Sequence, residues 1–411
     1  MTDATDSHLA AQYEAFPYPE RKPRDEAKRL VVGSPSHLRE IDFWVFGAAR
    51  PRAAPLRALV AGGGTGDGTI MLAAQLQAAG RAGRVTYLDR SEAALRIARA
   101  RAEARQLDNV DFVQGSLLDL PGLGLGLFDY IDCCGVLHHL PEPAQGLAAL
   151  VSALAPGGGM GLMVYAPHGR TGVYMLQDAL RALAPATEPP AARLDVARRV
   201  MRNLPESAWL RANGNFADHI TGGDAGLYDL LLNPRDRAYD VAAFAALLAQ
   251  AGLSIACLVE PMRYDPASYV SDPKLRGLAA ALDPIGRAAL AEALAGNIST
   301  HIAYVRRASE PVAAPDAMQD TAVPVARELS GADLAAAIRP DGVLPFVFNG
   351  LSVPVPMPKL AAAILRRIDG VRTVSEIGHA VGADPATFRR AWSEVWNRLS
   401  QVNRVLLAPP P

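Results

Sequence analysis

The chain has 411 residues, half of them apolar, and 41 basic against 42 acidic side chains give a formal net charge of −1. That length exceeds what one hydrophobic core serves, so two or three units are expected. The even charge balance leaves no field of one sign to draw in nucleic acid or a membrane surface. Cys133, Cys134 and Cys257 are the only cysteines, too few and wrongly spaced for a disulfide framework or a zinc site, so no metal is expected. No basic-then-apolar leader and no membrane-length apolar run is present, and a reduced, cytoplasmic protein is expected.

In chain order, residues 1–40 are polar and proline-rich (Pro17, Pro19, Pro23, Pro35) and read as an irregular arm. Its basic cluster, Arg21 to Arg29, is interrupted by Asp25 and Glu26, as on a solvated face. HLREIDFWVFGAA, from His37, has helical spacing until Pro51 and Pro55 break it. From Leu56 short apolar runs alternate with helical stretches. ALVAGGG opens as a buried strand and TIMLAAQLQAAG follows as a helix; RVTYLD ends at Asp89, and Ser91 caps the next helix. VDFVQ and FDYIDCCGV are strands, GLAALVSALAPGGG is a helix ending in glycines, and GMGLMVYA from Gly159 is a fifth strand. Strands alternating with helices predict parallel pairing through right-handed crossovers, an α/β, doubly wound sheet.

The alternation stops near His168, and an insertion occupies about 168–240. After the helix VAAFAALLAQAG, LSIACLVEP and STHIAYVRRA read as a closing antiparallel pair at the sheet edge. Residues 309–324 form a Pro/Ala-rich linker. Beyond it, 325–411 read as three helices and a short strand, a small helical, winged-helix-like domain.

Gly62, Gly63, Gly64, Thr65 and Gly66 join the first strand to the first helix. Glycines there let a ligand touch the backbone, and the helix start offers free N–H groups. Dinucleotide enzymes use the same device, but they want a small residue where Asp67 stands. No Gly-Lys-Ser/Thr follows, which excludes a nucleoside triphosphate loop. Asp89, at the tip of the second strand, is placed to accept from both hydroxyls of a ribose. Ser116 and the backbone N–H of Leu117, in GSLLDLP, are candidates for an adenine edge.

The loop, Asp89, GSLLDLP, FDYIDCCGVLHHLPEP and LAPGGGMGLMVYA, in this order and spacing, resemble the class I S-adenosylmethionine-dependent methyltransferases over about residues 56–165. The resemblance implies a mostly parallel seven-stranded sheet, S-adenosylmethionine as cofactor, and a catalytic domain over 41–308. One departure matters: Val60 stands where that family carries an acid. The methionine ammonium then needs another acceptor, such as a backbone carbonyl near Cys134, and Cys134 and Gly135 are assigned to the cofactor site. A narrower set, YEAFPYPER, LVAGGGTG, CCGVLHHLPEP and YAPHGRTGVY, is similar to a bacterial subgroup that includes outer-membrane-protein lysine methyltransferases. It implies that the arm, with Tyr13, Pro17 and Tyr18, folds over the cofactor as a lid, the alternative being an arm docked elsewhere on the surface.

Methyl transfer from a sulfonium is an in-line displacement, so the protein mainly aligns the reacting atoms. Candidates sit at the carboxyl ends of the central strands: His138, His139 and Tyr165 for catalysis, Arg170 and Tyr174 for substrate binding. Asp132 is expected chiefly to accept backbone hydrogen bonds, Cys133 and Cys134 to pack in their strand, and His301 to pack in the core or at the sheet edge. The expected acceptor is an amine, first a protein lysine; alternatives are small-molecule N-, O- or S-methylation, and a cofactor-sensing DNA-binding regulator. Partners are the protein or small-molecule acceptor and a second copy of the chain, with nucleic acid and membrane not expected.

Overall fold

The computed structural model describes residues 4–214, 218–348 and 350–411. It opens on a helix, α1 (Ala4–Ala15), where the sequence predicts irregular chain. ATDSHLAAQYEA carries no apolar stripe, so its helix is held from outside. Glu14 accepts from the backbone N–H of Glu92 at 2.6 Å, and Asp6 pairs with Arg235 at 2.6 Å.

The core is a seven-stranded sheet of β1 (Leu56–Ala61), β2 (Gly83–Asp89), β3 (Val110–Gln114), β4 (Phe128–Cys134), β5 (Leu154–Tyr165), β6 (Leu253–Val259) and β7 (Thr300–Arg307). Its order is β3-β2-β1-β4-β5-β7-β6, parallel from β3 through β5, with β7 antiparallel to both neighbours. The expected closing antiparallel pair is present, with β6 at the edge. Side chains alternate between faces. Leu59 and Ala61 join Ile131, Cys133, Leu162 and Val164 in one core, while Ala58 and Val60 join Tyr130 and Tyr304 in the other. β5 begins five residues earlier than expected. Leu154 already pairs with Phe128, so LAPGGG is strand, with a register shift against β4, rather than the end of a helix.

Between strands run α2 (Asp67–Ala78), α3 (Glu92–Ala104) and α4 (Pro143–Ser152). The insertion forms α5 (Val173–Leu183), α6 (Pro190–Asn203) and α7 (Gly223–Leu232) around a separate core of Val173, Leu180, Leu194, Leu210 and Leu227. Phe16 of the arm stacks on Tyr228 of α7, ring centroids 5.0 Å apart.

The last hundred residues hold more strand than expected. β8 (Pro324–Ala326) pairs with β11 (Val405–Leu407), and β9 (Val343–Phe348) with β10 (Leu351–Pro356). Among the described residues four helices accompany them, the longest Pro385–Gln401. The chain before β8 packs rather than dangling: Ala317 is buried and its carbonyl accepts from Trp392 Nε1 at 2.8 Å.

Glu40 joins three regions. Fully buried, it accepts from Ser34 Oγ (2.7 Å) of the arm, Tyr304 OH (2.6 Å) of β7 and Asn403 Nδ2 (2.7 Å), and it pairs with Arg327 Nε of the C-terminal region. Removing one partner of a buried ion pair strands the other charge and costs about 3–5 kcal/mol. Glu40→Ala is therefore expected to lower the thermal unfolding midpoint by several degrees, and Glu40→Gln by less; a midpoint unchanged in the alanine variant would show the cluster to be slack.

Candidate functional site

β1 ends at the glycine loop, where Gly62, Gly64 and Gly66 take φ of +75°, +50° and +103°, a region favourable to glycine. A Cβ on Gly63 would stand 2.4 Å from the Tyr87 ring, so β2 packs tightly beneath the bend. Asp89, one residue past Leu88 on β2, sends one oxygen to the backbone N–H of Gly64 (2.7 Å) and the other to that of Ser91 (2.9 Å). Loop and carboxylate are thus one assembly. Burial pushes the Asp89 carboxyl up from its ordinary value, against the pull of those backbone donors.

The arm is fastened across this assembly. Thr65 Oγ1 donates to the Pro19 carbonyl at 2.7 Å, and Ser91 Oγ to that of Tyr13 at 3.3 Å. Arg21 grips Asp67 through Nε (2.9 Å) and Nη2 (2.6 Å), and buried Arg101 meets the same carboxylate at 2.7 Å. Burial pushes Asp67 upward, but the two guanidiniums outweigh it and hold its carboxyl below the ordinary value. Arg101 also pairs with Glu26 at 2.7 Å, so the supposedly solvated basic stretch contributes a buried acid.

At the carboxyl end of β5, Tyr165 OH donates to Asp229 Oδ2 at 3.2 Å, and Tyr13 OH donates to Asp229 Oδ1 at 3.0 Å. Asn233 and Gln12 reach Oδ1 at 3.3 and 3.4 Å. Asp229, on α7, is only 4% exposed. Burial, then the nearby Asp229 charge, pushes both phenols well above their ordinary value, so they remain protonated donors. The Arg170 guanidinium lies 3.7 Å over the Tyr165 ring and pairs with Asp236 at 2.6 Å.

A single cavity of about 830 Å³ connects these parts. It is lined by Tyr13, Tyr18, Gly62, Gly63, Gly64, Asp89, Ser116, Leu117, Cys134 and Gly135, and also by His139, Tyr165 and Arg170. Of the remaining anticipated residues, Thr65 and Gly66 belong to the bend without lining the space. His138 and Tyr174 stand behind the wall. Among the described residues neither ring nitrogen of His138 has a hydrogen-bond partner; its ring packs on Tyr165 with centroids 3.9 Å apart, and burial keeps it neutral. Tyr174 accepts from Arg170 Nε at 3.1 Å and steadies that side chain. His139 has Nδ1 2.6 Å from the Arg235 carbonyl. A carbonyl only accepts, so Nδ1 carries the proton and a neutral ring offers its Nε2 lone pair. His301 is core, between Glu292 and Tyr264.

Asp229, Arg21 and the 34–36 segment were missed as site residues. A lone acid in the apolar run Leu227–Leu232, four residues before Asn233, was the available signal for Asp229. Among the described residues no cluster of His, Cys, Asp or Glu could hold a metal, and no helix is long and apolar enough to cross a membrane.

Residues 59–160 match a family model described as a methyltransferase domain. An uncharacterised protein of Synechococcus is 31% identical over 270 residues, 65% of this chain and 63% of that protein. A demethylmenaquinone methyltransferase of Listeria welshimeri is 35% identical over 95 residues, 23% of this chain. The chain thus spans under two thirds of the first relative's length and 39% of the second's. Among solved structures, PKMT2 from Rickettsia typhi in complex with AdoHcy superposes with a TM-score of 0.64 at 15% identity, over 91% of this chain and 75% of that one. The sheet is the class I methyltransferase fold.

Proposed function

From a class I methyltransferase fold, we propose that the chain binds S-adenosylmethionine between the Gly62–Gly66 bend and Asp89 and passes its methyl group to an amine, first a protein lysine. The observation that carries this is the continuous cavity from Asp89 and the glycine loop to Tyr165 and Asp229. The residues fit the group: a carboxylate for the ribose hydroxyls, a side-chain-free bend for the sulfur-bearing chain, and Ser116 and Leu117 for the adenine. When bound, the cofactor supplies a methyl group on a positively charged sulfur, an excellent leaving group.

The chain's own residues then select and orient the acceptor. Asp229 attracts an ammonium and so favours the protonated acceptor; its hydrogen bonds from Tyr13 and Tyr165 spread its charge and moderate that preference. An alkylamine must lose a proton from a pKa near 10.4 before it attacks. His139 Nε2 is the base within the cavity. Arg170 packs over the Tyr165 ring, and Asp229 directs the Tyr165 hydroxyl.

Lysine stands first because the arm and HGRTGVY motifs resemble the lysine-modifying subgroup. Small-molecule N-, O- or S-methylation is the second reading, favoured by the far end of the cavity, where α1 and α7 meet through Tyr13 and Asp229. DNA binding has less support. Arginines of the C-terminal region pair with acids, Arg372 with Asp369, Arg389 with Asp320 and Arg398 with Glu394.

Incubation of the full chain with methyl-labelled S-adenosylmethionine and a cell extract, fractionated into protein, nucleic acid and small metabolites, tests the acceptor. Label is expected on protein, at lysine. Label confined to small metabolites rejects lysine in favour of the second reading.

A further inference from the structure

The acid missing from β1 has a counterpart one strand away. Val60 and Asp132 are register partners in the parallel β1/β4 pair, so their side chains leave the same face of the sheet on strands about 4.8 Å apart. Val60 and Asp132 both line the cavity. Asp132 is 2% exposed, and its carboxylate accepts from Ser36 Oγ of the arm and from the Cys134 backbone. Its Oδ2 lies 3.3 Å from where a Cβ on Gly68 would stand, so the absent side chain in the first turn of α2 leaves room beside it. Among the described residues no Lys, Arg or His forms an ion pair with it. A buried carboxylate without a cation is costly, and burial pushes this one up to about 6. The cost is offset when a ligand brings the cation.

We propose that Asp132 receives the α-ammonium of bound S-adenosylmethionine, in place of the acid that class I enzymes carry at the position of Val60. This rests on the cofactor reading above. Strand order supports it: β2-β1-β4 puts Asp89 on one side of the glycine loop and Asp132 on the other, matching the ribose and amino-acid ends of one molecule. It also replaces the expected backbone carbonyl near Cys134 with a full charge.

The test is calorimetric binding by the full chain of three ligands. These are S-adenosylhomocysteine, its analogue lacking the α-amino group, and 5′-methylthioadenosine, which lacks the whole amino-acid end. The wild type is expected to bind the desamino analogue about 10- to 100-fold more weakly than S-adenosylhomocysteine, the span of one charged hydrogen bond. Asp132→Asn should lose that discrimination while keeping its affinity for 5′-methylthioadenosine, which also reports an intact fold. Val60→Asp added to Asp132→Asn should restore much of it. A wild type that binds S-adenosylhomocysteine but does not discriminate, or an Asp132→Asn variant that discriminates equally well, overturns the assignment and leaves the cofactor reading standing. Failure of the wild type to bind either S-adenosylhomocysteine or 5′-methylthioadenosine overturns both. A wild type that does not discriminate overturns the assignment even if the variants fail to fold, and the Val60→Asp variant on its own, expected to sharpen the discrimination, separates Asp132 from a backbone carbonyl if Asp132→Asn does not fold.

Discussion

Asp89→Ala is expected to weaken S-adenosylhomocysteine binding by roughly 100-fold or more, because on the proposed reading two charge-assisted hydrogen bonds to a ribose go at once. The substitution also frees the Gly64 and Ser91 N–H groups that the carboxylate holds, so the bend loses its register as the ligand loses a partner. Asp89→Asn keeps one accepting oxygen and should fall between, near 10-fold. Calorimetric titration measures both, with far-ultraviolet circular dichroism to check the fold. An alanine variant within about 3-fold of wild type, less than a single hydrogen bond contributes, would mean that the ribose sits elsewhere.

The second large effect is at Asp229. Asp229→Asn keeps the size of the side chain and one of the two oxygens that accept from the Tyr13 and Tyr165 hydroxyls, and removes the charge together with the other acceptor. For a basic amine acceptor kcat/KM should drop about 30- to 100-fold, the worth of a buried charged contact, with S-adenosylhomocysteine affinity nearly unchanged. The wild-type kcat/KM should climb as pH rises above neutral, since the free amine is scarce there and both phenols are held protonated. Steady-state assays on the acceptor identified by labelling read both. Unchanged kcat/KM in the asparagine variant would point to an uncharged nucleophile.

The parts of the site that are local in sequence were legible. A glycine bend followed by an acid at the next strand tip is a short-range pattern, and Gly62 to Gly66 with Asp89 stand together as that pattern predicts. The strands of the sheet were legible for the same reason, as apolar runs bounded by turn residues. What escaped was set by contacts between distant segments. α1 has no periodic apolar face; its ends are fixed by the start of α3 and by Arg235. Asp229 reads as a stray acid in a leucine-rich helix until the fold brings Tyr13 and Tyr165 to it. In the C-terminal region prolines hid the strands. Pro345 and Pro354 face each other across β9 and β10, in a two-stranded ribbon where an outward N–H is dispensable.

Phe43 is buried in the same core as Leu365, Trp392 and Val395, and Trp44 Nε1 donates to Asn403 at 3.1 Å. The stretch that backs the sheet is therefore also a wall of the C-terminal unit, and the two cannot be separated at 309–324 without opening apolar surface on both. Ser34 and Ser36 lie on the same short segment, one bonded to Glu40 and the other to Asp132. A partner that grasped the C-terminal unit and shifted Arg327 would pull on that segment, and so on the floor of the cavity, with no moving loop required.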